Sequence, residues 1–250
     1  MNIFMVVNGK FIKQISLILV MAFFAAWFLY IGNISQLPVF STKDGPKAVY
    51  RGEKDIALTF NIGWGDEKAE PILDVLKKEN VQSATFFLAG SWAERHPDLV
   101  NRIVKDGYEI GILGYTYVDY TDIEDTKIKK DISMAQESFH KLNVKNIKLL
   151  RAPTGHFDER TLNIAERYGY TVVHWSVDSK DWTNPGVKDI VENTLHSKKG
   201  DIILLHASDS AKQTAKALPQ IIGSLRDHGF KLVTVSEMIA NGNVQSTEIK

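Results

Sequence analysis

The run Ile56-Ala57-Leu58-Thr59-Phe60 gives way at once to Asn61-Ile62-Gly63-Trp64-Gly65. Apolar and β-branched residues in a short stretch read as a buried strand. A polar side chain, glycines and a tryptophan directly after it read as a strand end opening into a loop. The pattern recurs. Further runs lie at Ala84–Leu88, Glu109–Leu113, Ile147–Leu150, Thr171–Trp175, Ile202–Leu205 and Lys231–Val235. Polar, helix-spaced stretches fall between them near Glu67–Lys78, Pro97–Lys105, Ile123–Leu142, Asp158–Tyr168, Val187–His196 and Ala211–Asp227. Regular strand-then-helix alternation implies right-handed crossovers and a parallel sheet. About seven strands in roughly 190 residues predict an α/β fold: a single (β/α) barrel, TIM-like but distorted.

The composition narrows the function classes. The chain has 250 residues, 44% of them hydrophobic, enough to bury one substantial core. Lys+Arg and Asp+Glu number 30 each, and no dense basic run is present, so nucleic acid is not an expected partner. The absence of cysteine excludes disulfides, thiolate metal sites and a cysteine nucleophile. No helix opens on a Gly-x-Gly-x-x-Gly or Walker pattern, so a nucleotide site has no support.

Residues Ile15 to Ile31 carry no charge, and Gly32 to Ile34 extend the stretch. A helix of that length, rising about 1.5 Å per residue, nearly crosses a hydrocarbon core. Lys10 and Lys13 precede it, which keeps the N-terminal tip in the cytoplasm and sends the rest across the membrane. Gly32-Asn33-Ile34-Ser35 is a poor cleavage site, so an uncleaved anchor is expected in preference to a signal peptide. The expected organisation is a tip over 1–14, an anchor over 15–34, a linker over 35–54, one domain over 55–240 and a frayed tail over 241–250.

In barrels of this kind reactive groups lie at the C-terminal ends of the strands. Here those ends read Asn61-Ile62-Gly63-Trp64-Gly65, Leu113-Gly114-Tyr115-Thr116-Tyr117, Arg151-Ala152-Pro153-Thr154-Gly155-His156, Asp178-Ser179-Lys180-Asp181-Trp182 and Leu204-Leu205-His206. Arginine, carboxylates, histidine and tryptophans at successive strand ends imply one shared pocket. This set resembles the polysaccharide deacetylase family, also called the NodB-homology or carbohydrate esterase family, over roughly Asp55 to Ile239. Trp64-Gly65-Asp66, Ala93-Glu94-Arg95-His96-Pro97, His174–Trp182 and Leu205–Ser210 are similar, more closely, to its sporulation-associated branch in spore-forming bacilli.

The resemblance implies catalytic roles for Arg151, which orients the base, for Asp178 and Asp181, one of which supports the catalytic histidine, and for His206, which protonates the leaving amine. It implies that Trp182 lines the sugar groove. The family's Thr-Phe-Asp-Asp-Gly reads Thr59-Phe60-Asn61-Ile62-Gly63 here, so the base position holds Asn61 and the first metal-ligand position holds Ile62. The two histidine ligands fall on Leu113 and Tyr117. The family's zinc site is therefore not retained, and no metal cofactor is expected. Trp64, beside two glycines, is a sugar-stacking candidate, and Asn61 is counted with the substrate-binding residues.

Each residue also has a plainer reading. A single histidine at a strand end is more often structural than catalytic, and Arg151 beside Pro153 also fits a loop-stabilising ion pair. His174 is expected to pack in the sheet, His96 to mark a helix entry and His156 to sit at the pocket rim. One imidazole does not make a zinc site. No Gly-x-Ser-x-Gly elbow is present, so a covalent route is not indicated. The resemblance implies a deacetylase-like hydrolase acting on the N-acetyl amide of peptidoglycan or spore-cortex glycan. Its chemistry is expected to be impaired, and the domain is expected on the extracytoplasmic side of the cell membrane. The alternative is a catalytically inactive glycan-binding or structural envelope protein.

Overall fold

The computed structural model describes residues 19–22, 41–42 and 45–242. The chain divides into two compact units, Met1–Val39 and Phe40–Lys250. Of the first, only residues 19–22 are described, and they are helical and exposed. The rest of the expected anchor over Ile15–Ile31 lies outside the described residues. Among those that are described, no helix is long and apolar enough to cross a membrane.

The second unit is built on seven parallel strands curled into a half-barrel. They are β1 (Ala57–Ile62), β2 (Thr85–Leu88), β3 (Glu109–Ile112), β4 (Leu149–Leu150), β5 (Thr171–Val172), β6 (Val177–Asp178) and β7 (Ile202–His206), in the order β5-β4-β3-β2-β1-β7-β6. The helices are α1 (Ala69–Lys78), α2 (Gly90–Arg95), α3 (Pro97–Lys105), α4 (Asp125–Lys141), α5 (Glu159–Arg167), α6 (Val187–Leu195), α7 (Thr214–Asp227) and α8 (Val235–Ala240). A two-residue antiparallel pairing, Ser41–Thr42 with Gly45–Pro46, precedes the sheet.

β1 is buried along its whole length, as a central parallel strand must be. Its alternate residues serve two cores. Leu58, Phe60 and Ile62 join the large cluster beneath the helices, while Ala57 joins a smaller cluster with Phe87, Leu113 and Val173. Thr59 and Asn61 share the face of Ala57, so the polar positions of the strand point where the sheet curls inward. Asn61 stands level with Phe87 of β2 on one side and His206 of β7 on the other. Of the lead-in read as a linker over 35–54, Val49 pairs in parallel with Val173 and Arg51 in antiparallel with Asp201. That segment spans from the β5 side of the sheet to the β7 side.

The structure corrects two strand assignments. Lys231–Val235 is not a strand: only Leu232 bridges to Ile56, and Val235 opens α8. Thr234 accepts from the Glu237 N–H while the Glu237 carboxylate accepts from the Thr234 N–H, a capping box that commits the segment to helix. The predicted Thr171–Trp175 run is strand only at Thr171–Val172, and the remaining strand is Val177–Asp178, just beyond that run, which pairs with β7.

Helix α4 fixes the loop after β3. Ile128, Ile132, Ala135 and Phe139 form its buried stripe, and Asp131 sits on the same inner side. The Asp131 carboxylate accepts from the Tyr115 N–H (2.8 Å), the Thr116 N–H (2.9 Å), the Thr116 hydroxyl (2.6 Å) and the Tyr120 hydroxyl (2.7 Å). Replacing it by alanine (Asp131→Ala) leaves two backbone donors and a buried phenol without acceptors. The expected loss is roughly 2–4 kcal/mol in denaturant unfolding. A loss below about 0.5 kcal/mol, the size of an ordinary surface substitution, would show that the carboxylate does not hold this loop.

Candidate active site

The C-terminal ends of the strands surround a cleft of about 490 Å³. Its floor is organised by Arg151, which follows β4 and is fully buried. The guanidinium donates from Nη1 to Thr59 Oγ1 (3.0 Å) and Asn61 Oδ1 (2.9 Å), from Nη2 to the His174 carbonyl (2.9 Å) and from Nε to the Val173 carbonyl (3.2 Å). Its central carbon lies 4.0 Å from the centroid of the Phe87 ring. Every one of these partners is neutral. Burial pushes the guanidinium down to about 9, which still leaves it cationic at neutral pH.

Beside Asn61, on the neighbouring strand, His206 lines the cleft. Its Nδ1 meets Asp181 Oδ1 at 2.7 Å. Asp181 is fully buried, and its Oδ2 accepts from the His206 backbone N–H (2.7 Å) and the Thr214 hydroxyl (2.6 Å). A carboxylate so occupied accepts from Nδ1–H, which fixes the tautomer and leaves Nε2 as the free ring nitrogen. Of the two aspartates in the motif, Asp181 is therefore the one that supports the histidine. Asp178, on β6, accepts from the Lys180 N–H (2.8 Å) and lines the cleft.

Asp181 and Trp182 occupy a short 3-10 turn bracketed by Lys180 (φ 55°) and Asn184 (φ 54°), both left-handed. Two non-glycine residues in that region persist only where surrounding contacts impose them. Asn184 supplies those contacts, donating to the Ser210 carbonyl (2.7 Å) and accepting from the Lys212 N–H (2.9 Å).

Aromatic rings form the walls. Trp182, Trp64 and Tyr117 are 51%, 49% and 45% exposed, and all three line the cleft. Trp64 is held by its loop: Asp209 accepts from the N–H groups of Asp66, Glu67 and Lys68, and Trp92 Nε1 donates to the Gly65 carbonyl at 2.7 Å. His96 stacks on Trp92. Tyr117 lies over Gly63, where an added Cβ would meet its ring at 2.5 Å. Trp175 backs the cleft against His174, with ring centroids 3.8 Å apart. Burial lowers His174 to about 4, so it is a neutral packing residue. His156, 72% exposed along its side chain, pairs through Nδ1 with Asp119 at 2.5 Å.

The positions that the resemblance assigns to a metal do not fit one. Ile62 is sealed in the helix-side core and Leu113 in the inner apolar cluster, so neither offers a donor atom. Tyr117 offers only a phenol that is neutral at neutral pH, a poor donor to a metal on its own. Among the described residues, no group of three or more His, Cys, Asp or Glu is placed to hold a metal ion.

The structure thus brings Asn61, Trp64, Asp178, Trp182 and His206 to one cleft, with Arg151 beneath Asn61 and Asp181 behind His206. Sequence reasoning missed Thr214, Asp209 and Asp131 as supports, and Tyr117 as a wall. Asp131 had a signal, being the one charged residue within an otherwise uncharged buried helical stripe. Thr214 had none.

A family model described as polysaccharide deacetylase matches residues 48–173. A peptidoglycan-N-acetylglucosamine deacetylase of Bacillus cereus is 36% identical over 195 residues, covering 76% of this chain and 91% of its own. Among solved structures, a CE4 family pseudoenzyme from Bacillus anthracis is similar with a TM-score of 0.72 at 28% identity, over 78% of this chain and 69% of that one. A mutant of that pseudoenzyme with restored enzymatic activity is similar with a TM-score of 0.72 at 28% identity, over 78% and 72% of the two chains.

Proposed function

The chain belongs to the polysaccharide deacetylase family, and we propose that within it this protein is an impaired relative that holds peptidoglycan-type glycan. One observation carries the reading: the donors for a metal are gone while the cleft around them stands. Ile62 and Leu113 carry no donor atom and Tyr117 is a poor donor at neutral pH, yet the Asp181–His206 pair and the exposed Trp64, Tyr117 and Trp182 remain arranged around the opening. Hydrolysing an N-acetyl amide at neutral pH needs an activated water and a stabilised oxyanion, which the family's metal supplies. Asn61 cannot take the proton from that water, because its amide has no basic lone pair to offer. His206 alone can hand a proton to a leaving amine, but nothing beside it generates the nucleophile.

Stacking a sugar face on an exposed ring needs no metal, so binding survives where turnover does not. A related pseudoenzyme with restored enzymatic activity in mutant form supports the view that such sites lose a few residues and keep their frame. Likeness to the sporulation-associated branch supports spore-cortex glycan as the natural ligand, and the uncharged Ile15–Ile31 run supports a tethered domain outside the cytoplasmic membrane. Protease added to wall-stripped cells should then digest residues beyond about 43 and spare the tip. Complete protection would place the domain in the cytoplasm instead.

The chemical half of the proposal is tested by rebuilding the site with Asn61→Asp, Ile62→Asp, Leu113→His and Tyr117→His together. Ile62 and Leu113 are fully buried, so the replacements destabilise the apo protein, and added zinc or cobalt should raise its melting temperature by linkage. Acetate release from a chitooligosaccharide should appear only with metal. Chelator-insensitive release by the parent protein, abolished by His206→Ala, would overturn the reading.

A further inference from the structure

Arg151 is buried with its charge, and each of its acceptors is neutral: Thr59, Asn61 and the carbonyls of Val173 and His174. Burial alone moves its pKa, so no carboxylate stands near enough to counter the charge. One side chain carries that charge's influence to the cleft. Asn61 is 3% exposed, and its Oδ1 accepts from Arg151 Nη1 at 2.9 Å. An arginine has no acceptor, so this bond fixes the amide: the oxygen faces Arg151 and the nitrogen faces away. Asn61 lines the cleft, its Nδ2 has no protein partner among the described residues, and that atom is not among the sealed orphans. The result is a pair of nearly buried N–H donors presented to the cleft and polarised by the cation behind them.

Donors in front of an unanswered positive charge select for an anion. We propose that Asn61, with Arg151 behind it, forms a binding site for a small monovalent carboxylate. The inference goes beyond the glycan-binding reading and does not depend on it. A sugar hydroxyl or an amide also accepts from an N–H group, but a neutral acceptor leaves the Arg151 charge as it stands. A carboxylate accepts the same N–H groups and adds the missing countercharge, in a place where hydrogen bonds to a charged group are roughly twice as strong as neutral ones. The two carboxylates nearby do not fill this role. Asp181 lies behind the His206 ring, with Oδ1 on Nδ1 and Oδ2 on the His206 N–H and the Thr214 hydroxyl. Asp178 lines the cleft, but it stands on β6, separated from Asn61 by β7. Two strand spacings put it roughly 9–10 Å away, about one screening length at ordinary salt.

The test is thermal unfolding of the full-length protein at neutral pH, with chelator present, against rising concentrations of sodium formate or of formamide, its neutral isostere. Formate should raise the melting temperature of the parent saturably, by about 3–6 °C at ten times its dissociation constant, and formamide should not. Asn61→Asp has the same size and places a fixed carboxylate on Arg151 where the ligand's charge would act. It should show no saturable rise, and it also controls for general effects of salt. An equal rise with formamide, no saturable rise with formate, or the same formate response in Asn61→Asp overturns the anion site. None of these outcomes bears on glycan binding, which is read separately.

Discussion

A guanidinium buried without a carboxylate is the constraint on which the site depends. Taking such a charge out of water costs several kcal/mol, and Arg151 offsets that with neutral acceptors and one aromatic face. Those acceptors come from β1 and from the residues that follow β5, so the one side chain ties β4 to both across the interior. It also dictates how Asn61 points. The strand-end chemistry of the whole cleft follows from that orientation, since Asn61 is level with His206 and forms the floor between the aromatic walls.

The cleft does not depend on donor atoms at Ile62 and Leu113, because the loops around it are clamped independently. Asp209 gathers three successive N–H groups of the Trp64 loop, Asp131 gathers those of the loop carrying Tyr117, and Asp181 takes the backbone N–H of His206. Each clamp is a carboxylate from a different element accepting backbone donors that would otherwise be orphaned. The three clamping carboxylates, Asp131, Asp181 and Asp209, stand apart from Ile62, Leu113 and Tyr117, the positions that the resemblance assigns to a metal.

Much of this was legible in the chain. The apolar runs at Ile56–Phe60 and Ala84–Leu88 locate their strands to within two residues because both faces of a central parallel strand are buried, and burial leaves its mark on every position. The edges were harder. Val177–Asp178 is only half-buried and two residues long, so hydropathy carries no trace of it, and Lys231–Val235 looks like a strand until the Thr234–Glu237 box is weighed. Arg151, Asp181 and His206 could be placed at strand ends. The supports could not, since Asp131, Asp209 and Thr214 act through contacts between elements 15 or more residues apart, or between loops whose approach no local pattern reports.

The central claim, that Arg151 is a buried cation lacking a negative partner, is tested most directly by equilibrium unfolding of the parent and of Asn61→Asp across pH. A carboxylate beside Arg151 has its folded-state pKa depressed below the ordinary value near 3.9, so the stability it contributes is fully present above that value and is lost as pH falls through the lower one. The account predicts that Asn61→Asp is more stable than the parent at neutral pH, by roughly 1–3 kcal/mol, and that the gain vanishes in acid. A variant less stable than the parent at neutral pH, or a difference that does not change with pH, would contradict it.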